Sequence, residues 1–455
     1  MSITNEVGTT SRSIEAGVLR KIKIRILPYI LLLYIISFLD RINIGFAALT
    51  MNQELGITSQ QFGFAVGILF ISYSLLEIPS NLILHKVGAR IWIARILIVW
   101  GIVAALTGFV QTVHQLYLMR FLLGVAEAGY YPGILLYLTY WFRQRELAQA
   151  IALFMMGIPI TNVLGAPISG FILDHVNWLG MSSWRWLLIL EGLPAVIFGI
   201  LTYFLLPNRP AEAKFLAESE RDWITTQLKR EKDRTHGTHQ VSAAGALVHG
   251  RVWHLASAAL VHGAVFYAIY TWMPQILKTL SSGYSNAVIG FLVMVPNVVG
   301  LLTMILISRS SDRRLERRWH VAIPAVIGGI ACVMLGETHF VFLIVVLLSV
   351  AVGCVCGYLG PFWALPSEFL TGSSAASGIA LITTFVNLGG FAGPYIVGFV
   401  RQRTESLSGA LAMIGVTLFV FTTLVLLLPA IPQGLARGFA RPGGDHSAEP
   451  RGDPV

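Results

Sequence analysis

Twelve stretches of about 20 mostly apolar residues run along this chain, each bounded by charges, Gly or Pro. They fall approximately at 24–48, 60–83, 91–111, 116–140, 148–173, 186–206, 253–277, 287–307, 320–336, 340–363, 375–399 and 409–431. A hydrocarbon core roughly 30 Å thick is crossed by about 20 apolar residues in helical form. Each stretch therefore predicts a membrane-spanning helix, and the fold class is an all-α polytopic membrane protein with 12 transmembrane helices. One long polar interval divides them into two six-helix halves. The expected organisation is an N-terminal tail (1–23), a first half (24–206), a linker (207–252), a second half (253–431) and a C-terminal tail (432–455), with loose cytoplasmic tails. Within the linker, Ala211 to Lys232 places Phe215, Leu216, Trp223, Ile224 and Leu228 at helical spacing. That pattern predicts an amphipathic helix lying on the membrane face.

Composition agrees with the pattern. A chain of 455 residues with 55% hydrophobic and 12% charged residues and a mean hydropathy of +0.71 is no ordinary soluble domain. The net charge of +9 would suggest nucleic acid in a soluble protein, but here its distribution explains it. With both termini inside, 25 of the 32 Lys and Arg residues fall in inner loops and tails, as the positive-inside rule requires. No nucleic-acid partner is expected. The expected location is the bacterial inner (plasma) membrane, multi-pass, with both termini cytoplasmic. Cys332, Cys354 and Cys356 all fall in predicted helices, where they read as small apolar residues. The first apolar segment is too long for a cleavable signal.

Against this background a few ionisable residues stand out. Asp40 and Arg41 sit together in LLLYIISFLDRINIGFAAL, inside the first span. Each charge at bilayer depth costs about 2.5–3.5 kcal/mol on insertion scales, so such groups face a partner, water or a ligand. In the fourth span Arg120 and Glu127 are seven residues apart, two helical turns, hence on one face and about 10 Å apart along the axis. If spans one and four are antiparallel neighbours, the four groups come to similar depth, with Arg41 facing Glu127 and Asp40 facing Arg120. A quartet that merely closes neutral pairs between the two helices is the alternative reading.

The halves echo each other. Ala150-Ile-Ala-Leu153 in the fifth span matches Gly378-Ile-Ala-Leu381 in the eleventh. Each is followed by an Asn (Asn162, Asn387) and a small-residue-Pro pair (Ala166-Pro167, Gly393-Pro394). Parallel half-repeats put a binding site near the midplane, between halves that rock. The Gly and Pro residues of spans five and eleven suit close, movable crossings.

Several motifs carry a resemblance. They are Phe38-Leu-Asp-Arg-Ile-Asn-Ile-Gly-Phe-Ala47, Glu77-Ile-Pro-Ser-Asn81, Arg120-Phe-Leu-Leu-Gly-Val-Ala-Glu-Ala-Gly129 with Tyr131-Pro-Gly133, Trp184-Arg-Trp186, Phe362-Trp-Ala-Leu-Pro366 and Asn387-Leu-Gly-Gly-Phe-Ala-Gly-Pro394. Along its whole length the chain resembles the major facilitator superfamily, and within it the anion:cation symporters that carry tartrate, phthalate, hexuronate and galactonate. The resemblance implies the major facilitator fold and secondary transport by alternating access. One departure stands out: the family's loop motif between spans two and three has an Asp where this chain has His85. The matching loop of the second half keeps Asp312, which becomes the better candidate for a conformational lock.

With that resemblance, the quartet reads as proton-coupled uptake of a small organic carboxylate. Arg41 and Arg120 would bind the anion with bidentate geometry, and protons on Asp40 and Glu127 would release them to do so. Tyr73, Asn162, Tyr270, Trp272, Trp363 and Asn387 are further substrate-binding candidates, able to give hydrogen bonds and a stacking wall. Glu77 reads as a structural acid pairing with a basic loop residue, Glu191 as a structural tie to Arg185, and His262 as a core residue. Partners are a small organic acid anion, protons and the lipid bilayer, with the protein a monomer. No cofactor and no metal are expected. An exporter or drug-type efflux carrier of the same fold is the alternative, and a non-transporting receptor would need a soluble domain that the pattern lacks. Enzymatic activity is not expected, since no phosphate loop, metal-ligand cluster or nucleophile-base spacing occurs.

Overall fold

The computed structural model describes residues 3–235, 249–281, 283–366, 369 and 372–428. Linker residues 236–248 and the C-terminal tail 432–455 lie outside the described residues, as do Arg437, Arg441 and Arg451 of the inner positive set. Among the described residues, twelve helices are long and apolar enough to cross a membrane. We number them α1 (Ile3–Glu54, with Glu15–Glu54 as its span), α2 (Ser59–Val87), α3 (Ala89–Thr107), α4 (Val113–Thr139), α5 (Arg145–His175) and α6 (Ser183–Leu205). The second half contains α7 (Gly250–Leu280), α8 (Asn286–Arg314), α9 (Arg318–Leu335), α10 (Val341–Ala364), α11 (Ser377–Thr404) and α12 (Leu407–Leu426). Each overlaps its predicted span closely. We call the end that carries residue 15 the tail end and the opposite one the far end.

Two expectations change. The N-terminal segment is not a loose tail: the helix of α1 already runs from Ile3, and Val18 and Ile22 are fully buried. The linker helix begins at Glu218 rather than Ala211 and runs to Thr235. The linker docks on protein, with Ala213 and Leu216 before the helix and Ile224 within it buried, because these apolar residues find a surface at the tail end of the first half. Phe215 stacks on Trp141, and Trp223 lies under the Arg143 guanidinium. Lys21 bonds Glu220 at 2.7 Å, and Arg143 pairs with Glu15 and Glu146 at 2.6 Å each.

Local chemistry sets the helix ends at the far end. Thr58 and Gln61 form a reciprocal capping box that starts α2, and Ser285 and Ser406 cap α8 and α12. Glu54, closing α1, accepts from the Trp184 indole at 2.7 Å and from Arg185 at 3.0 Å, fixing the start of α6. Inside α4 the helix breaks after Glu127, with Gly129 at φ 83°, a left-handed turn that suits Gly.

The halves meet chiefly through three crossings: α2 with α11, α5 with α8, and α1 with α7. At Gly63 the α2 backbone reaches the carbonyl of Pro394, leaving no room for a side chain, and Gly290 of α8 crosses Ala166 of α5 as closely. Runs of small residues permit such backbone contact in lipid, where dispersion replaces the hydrophobic drive. The far end carries polar ties as well. Asp174 of α5 accepts the backbone N–H groups of Asn286 at 3.1 Å and Ala287 at 2.7 Å, and Gln60 donates to Tyr395 at 2.9 Å. Toward the tail end the seam is tied more loosely, with Asn387 of α11 donating to Glu77 of α2 at 3.5 Å. The far end is therefore the closed one.

Candidate functional site

At mid-depth α1 and α4 bring the quartet together. Asp40, Arg120 and Glu127 are almost completely buried, and Arg41 is partly exposed toward the space between the halves. Arg41 donates to Glu127 Oε2 from Nη2 at 3.0 Å and from Nε at 3.3 Å. The second expected pair does not close. Arg120 exerts the strongest opposite charge on Asp40, yet no contact within 4 Å joins them, and Arg120 donates no hydrogen bond among the described residues. Spacing along α1 explains this: adjacent residues point about 100° apart, so when Arg41 reaches Glu127, Asp40 is turned toward α3 and α6. There it accepts from Asn43 at 3.3 Å and lies against the Trp100 indole.

Aromatic rings surround Arg41. The Tyr73 ring is 5.4 Å and the Phe70 ring 6.0 Å from its guanidinium carbon, within cation–π range. Across the seam Tyr267 of α7 accepts from Arg41 Nη1 at 3.3 Å and packs on Phe70, with ring centres 4.3 Å apart. On the first-half side Tyr34 stacks on Phe154 at 4.1 Å and adjoins Tyr131. Asn387 of α11 donates to Glu77 of α2 at 3.5 Å. A cation, two acids, an amide and several phenols thus converge from both halves.

The remaining candidates lie elsewhere. Tyr270 bonds Cys356 at 3.1 Å, and Trp272 is fully buried, donating to Pro394 O at 3.2 Å and packing on Phe62 in the far-end seam. Asn162 donates to Ile158 O of its own helix at 2.9 Å, and Trp363 packs on Phe362. On α7 it is Tyr267, one turn before Tyr270, that reaches Arg41. Glu77 makes no ion pair to a loop cation among the described residues; it points to Asn387 and feels the charge of Arg41. Its position one turn after Tyr73 was the signal available. Glu191 is bonded to Ser169 at 2.7 Å, while Arg185 belongs to Glu54. His262 is buried in an aromatic nest and bonds Tyr358 at 3.0 Å. Asp312 pairs with Arg317 of its own loop at 2.5 Å, and His85 rests against Tyr140.

Residues 30–394 match the Major Facilitator Superfamily. The chain belongs to that superfamily. As a superfamily member it is a multi-pass membrane protein and a secondary transporter, not an enzyme. It is 44% identical over 424 residues to a protein of Agrobacterium vitis named "Putative tartrate transporter", covering 93% of this chain and 94% of that one. It is 34% identical to the inner membrane transport protein RhmT of Escherichia coli, covering 90% and 96%. It is 33% identical to a quinolone resistance transporter of Acinetobacter baumannii, covering 89% and 93%. These relatives are consistent with the anion:cation symporter group that the motifs resemble. Among solved structures, a bacterial homolog of the human lysosomal transporter Spinster superposes with a TM-score of 0.72 at 16% identity, over 91% of this chain and 97% of that one. That likeness concerns the fold.

Proposed function

We propose that this transporter takes up a small organic carboxylate together with protons by alternating access, in a bacterial inner membrane with both termini cytoplasmic and as a monomer. The observation that carries the reading is the Arg41–Glu127 pair, held at the seam under Tyr267 and partly exposed to the space between the halves. A carboxylate can displace Glu127 from Arg41 only if the charge left on Glu127 is neutralised, because stripping a buried acid of its cation costs about 3–5 kcal/mol. A proton on Glu127 removes that cost. Asp40 and Arg120 play the same parts one step deeper, with Arg120 donating no hydrogen bond among the described residues. Anion and proton therefore favour each other's binding, which is symport, and linkage makes the effect reciprocal.

Tyr73, Tyr267 and Asn387 give the substrate its wall and its polar contacts in this reading, with Glu77 beside Asn387. The A. vitis relative makes tartrate the first compound to try, and a dicarboxylate would suit two arginines. The A. baumannii relative favours a second reading, outward movement of an acidic aromatic compound through the same site.

The test is internal acidification of proteoliposomes, read with a pH dye as tartrate, aldonates, hexuronates, aromatic carboxylates and a quinolone are added outside. Acidification by one compound, lost in Arg41→Ala, is expected. Glu127→Gln should keep substrate exchange and lose proton-driven accumulation. Silence across the panel with folded protein, or Arg41→Ala with unchanged affinity, would refute the reading.

A further inference from the structure

At the far end, α11 turns a guanidinium toward α7 that meets no acid there. Arg401 stands 5.5 Å over the Trp272 ring, and its two hydrogen bonds are long: Nη1 to Gln275 Oε1 at 3.5 Å and Nη2 to Thr279 Oγ1 at 3.4 Å. Both exceed the usual N–H···O range of about 2.7–3.2 Å, and both acceptors are neutral. The other far-end cations are placed differently. Arg185 pairs with Glu54 at 3.0 Å and donates to the Gly108 and Val110 carbonyls, Lys278 donates to Tyr284 O at 2.6 Å, and Arg403 is exposed over Phe399. Asp174 is engaged with the start of α8. Glu405 follows Arg401 by four positions, yet Arg401 makes no ion pair among the described residues.

The same spot holds a surplus of donors. Gln275 is 8% exposed, and while its Oε1 faces Arg401, its Nε2 is buried without a partner. A buried donor lacking an acceptor is costly, and this one belongs to the amide that already meets the guanidinium. A carboxylate would answer both, with one oxygen on Arg401 and the other on Gln275. The helix dipole does not account for Arg401 alone. Arg403 shares the last turn of α11 and meets the dipole in water, whereas Arg401 is packed against an indole.

The cluster belongs wholly to the second half. Trp272, Gln275 and Thr279 ride on α7 and Arg401 on α11. These helices touch backbone to backbone, since a side chain at Gly263, Gly389 or Gly393 would meet the carbonyl of Val386, Leu260 or Ala264. Its cover comes from the first half: Phe62 packs on Trp272 with ring centres 5.2 Å apart, and the Gln60 N–H donates to Gln402 at 3.1 Å. Parting of the halves at the far end removes the cover and leaves the cluster whole. Gln275 and Thr279 lie eight and twelve residues beyond Tyr267 on α7, about 12 and 18 Å along the axis. The cluster thus stands between the far-end surface and the residue that touches Arg41.

We propose that Arg401, Gln275 and Thr279 form an outer carboxylate-binding site, which holds the anion at the far end before it reaches Arg41. This rests on the uptake of a carboxylate proposed above, and it names the place where that substrate is first held.

Membrane-impermeant thiol reagents test it. Thr279 is exposed, so Thr279→Cys, made after the three native cysteines are replaced, reads the site from the far side in phosphatidylcholine vesicles at constant ionic strength. Arg401→Gln should slow a sulfonate-bearing methanethiosulfonate about fivefold, the attraction of unit charges about 4 Å apart in water, and leave a neutral, sugar-bearing one unchanged. Millimolar tartrate, gluconate or benzoate should protect the cysteine from the neutral reagent, erythritol should not, and Arg401→Gln should abolish the protection. No protection by any of the three acids would overturn the proposal, and so would protection that survives Arg401→Gln. A change of both reagents alike in Arg401→Gln marks a merely structural tie between α7 and α11 and overturns it too. If Arg401→Gln does not fold, Arg401→Lys, which keeps the charge and loses the fork, should keep the sulfonate rate and weaken protection; full protection there would refute the bridging geometry. Protection that vanishes when phosphatidylglycerol is added assigns the site to a lipid headgroup and overturns the substrate role. A protected cysteine in a protein that no tested acid acidifies would refute the uptake reading and leave this site standing, and acidification without protection would do the reverse.

Discussion

Removing the Asp174 carboxylate should open the far end. Its two oxygens accept the first N–H groups of α8 at 3.1 and 2.7 Å, bridging the halves at the point where α5 ends and α8 begins. An acceptor of this kind at a helix N-terminus contributes about 0.5–2 kcal/mol, and a negative charge there about 0.3–1 more. Because both bonds cross the seam, Asp174→Ala withdraws about 1–3 kcal/mol from the far-end-closed state alone. The closed-to-open ratio should therefore fall about 5- to 150-fold. The assay is the distance between spin labels on cysteines placed at Leu179 and Phe340, both well-exposed far-end positions in opposite halves, after the three native cysteines are replaced. A longer-distance population should grow in the variant, and Asp174→Asn, which keeps acceptor oxygen but loses charge, should fall between the two. An unchanged distribution in folded protein would refute the view that this cap latches the far end.

Gly63→Val should act in the same direction by a different route. Its added atoms would meet the Pro394 carbonyl and the Tyr395 Cα, backbone that cannot yield as a side chain can. Overpacking of about 1–3 kcal/mol is expected only when the halves are closed, and the same label pair reads it. At the tail end, Lys21→Met should loosen the linker helix, raising hydrogen exchange over residues 218–235 by no more than about fivefold, since an exposed pair contributes about 0–1 kcal/mol. The Lys21 ammonium holds Glu220 below the usual carboxylate value, helped by the Ala217 N–H. The contribution of that tie is thus present above the ordinary value of 4.5 and is lost as pH falls through the lowered one. The Lys21→Met effect should be constant from pH 5 to 8 and disappear in stronger acid.

The spans, the halves and the charged quartet were legible because charges in apolar runs are conspicuous and helical spacing is exact within one helix. What spacing could not supply was rotation about each helix axis. A span that is apolar all round has no stripe to say which face meets a neighbour, so the sequence of α7 points to Tyr270 and Trp272 as readily as to Tyr267, the residue that reaches Arg41. The same gap hid Glu77 and misassigned Glu191, whose partner Ser169 lies on another helix. The sequence pairing of Asp40 with Arg120 had the right depth, but Asp40 is turned toward Asn43 and Trp100. The linker's apolar stripe is visible in the sequence, while its seat on Trp141 and Arg143 depends on residues far away in the chain.

The left-handed break at Gly129 divides α4 into two rigid rods, Val113–Glu127 and Tyr130–Thr139. Arg120 and Glu127 ride on the first rod, which is fitted backbone to backbone against α2 at Gly124. The second rod leads instead to Tyr140, the neighbour of His85 in the altered loop. Because no continuous helix joins them, Arg120 and Glu127 sit in one segment and the approach to the tail-end loop in the other.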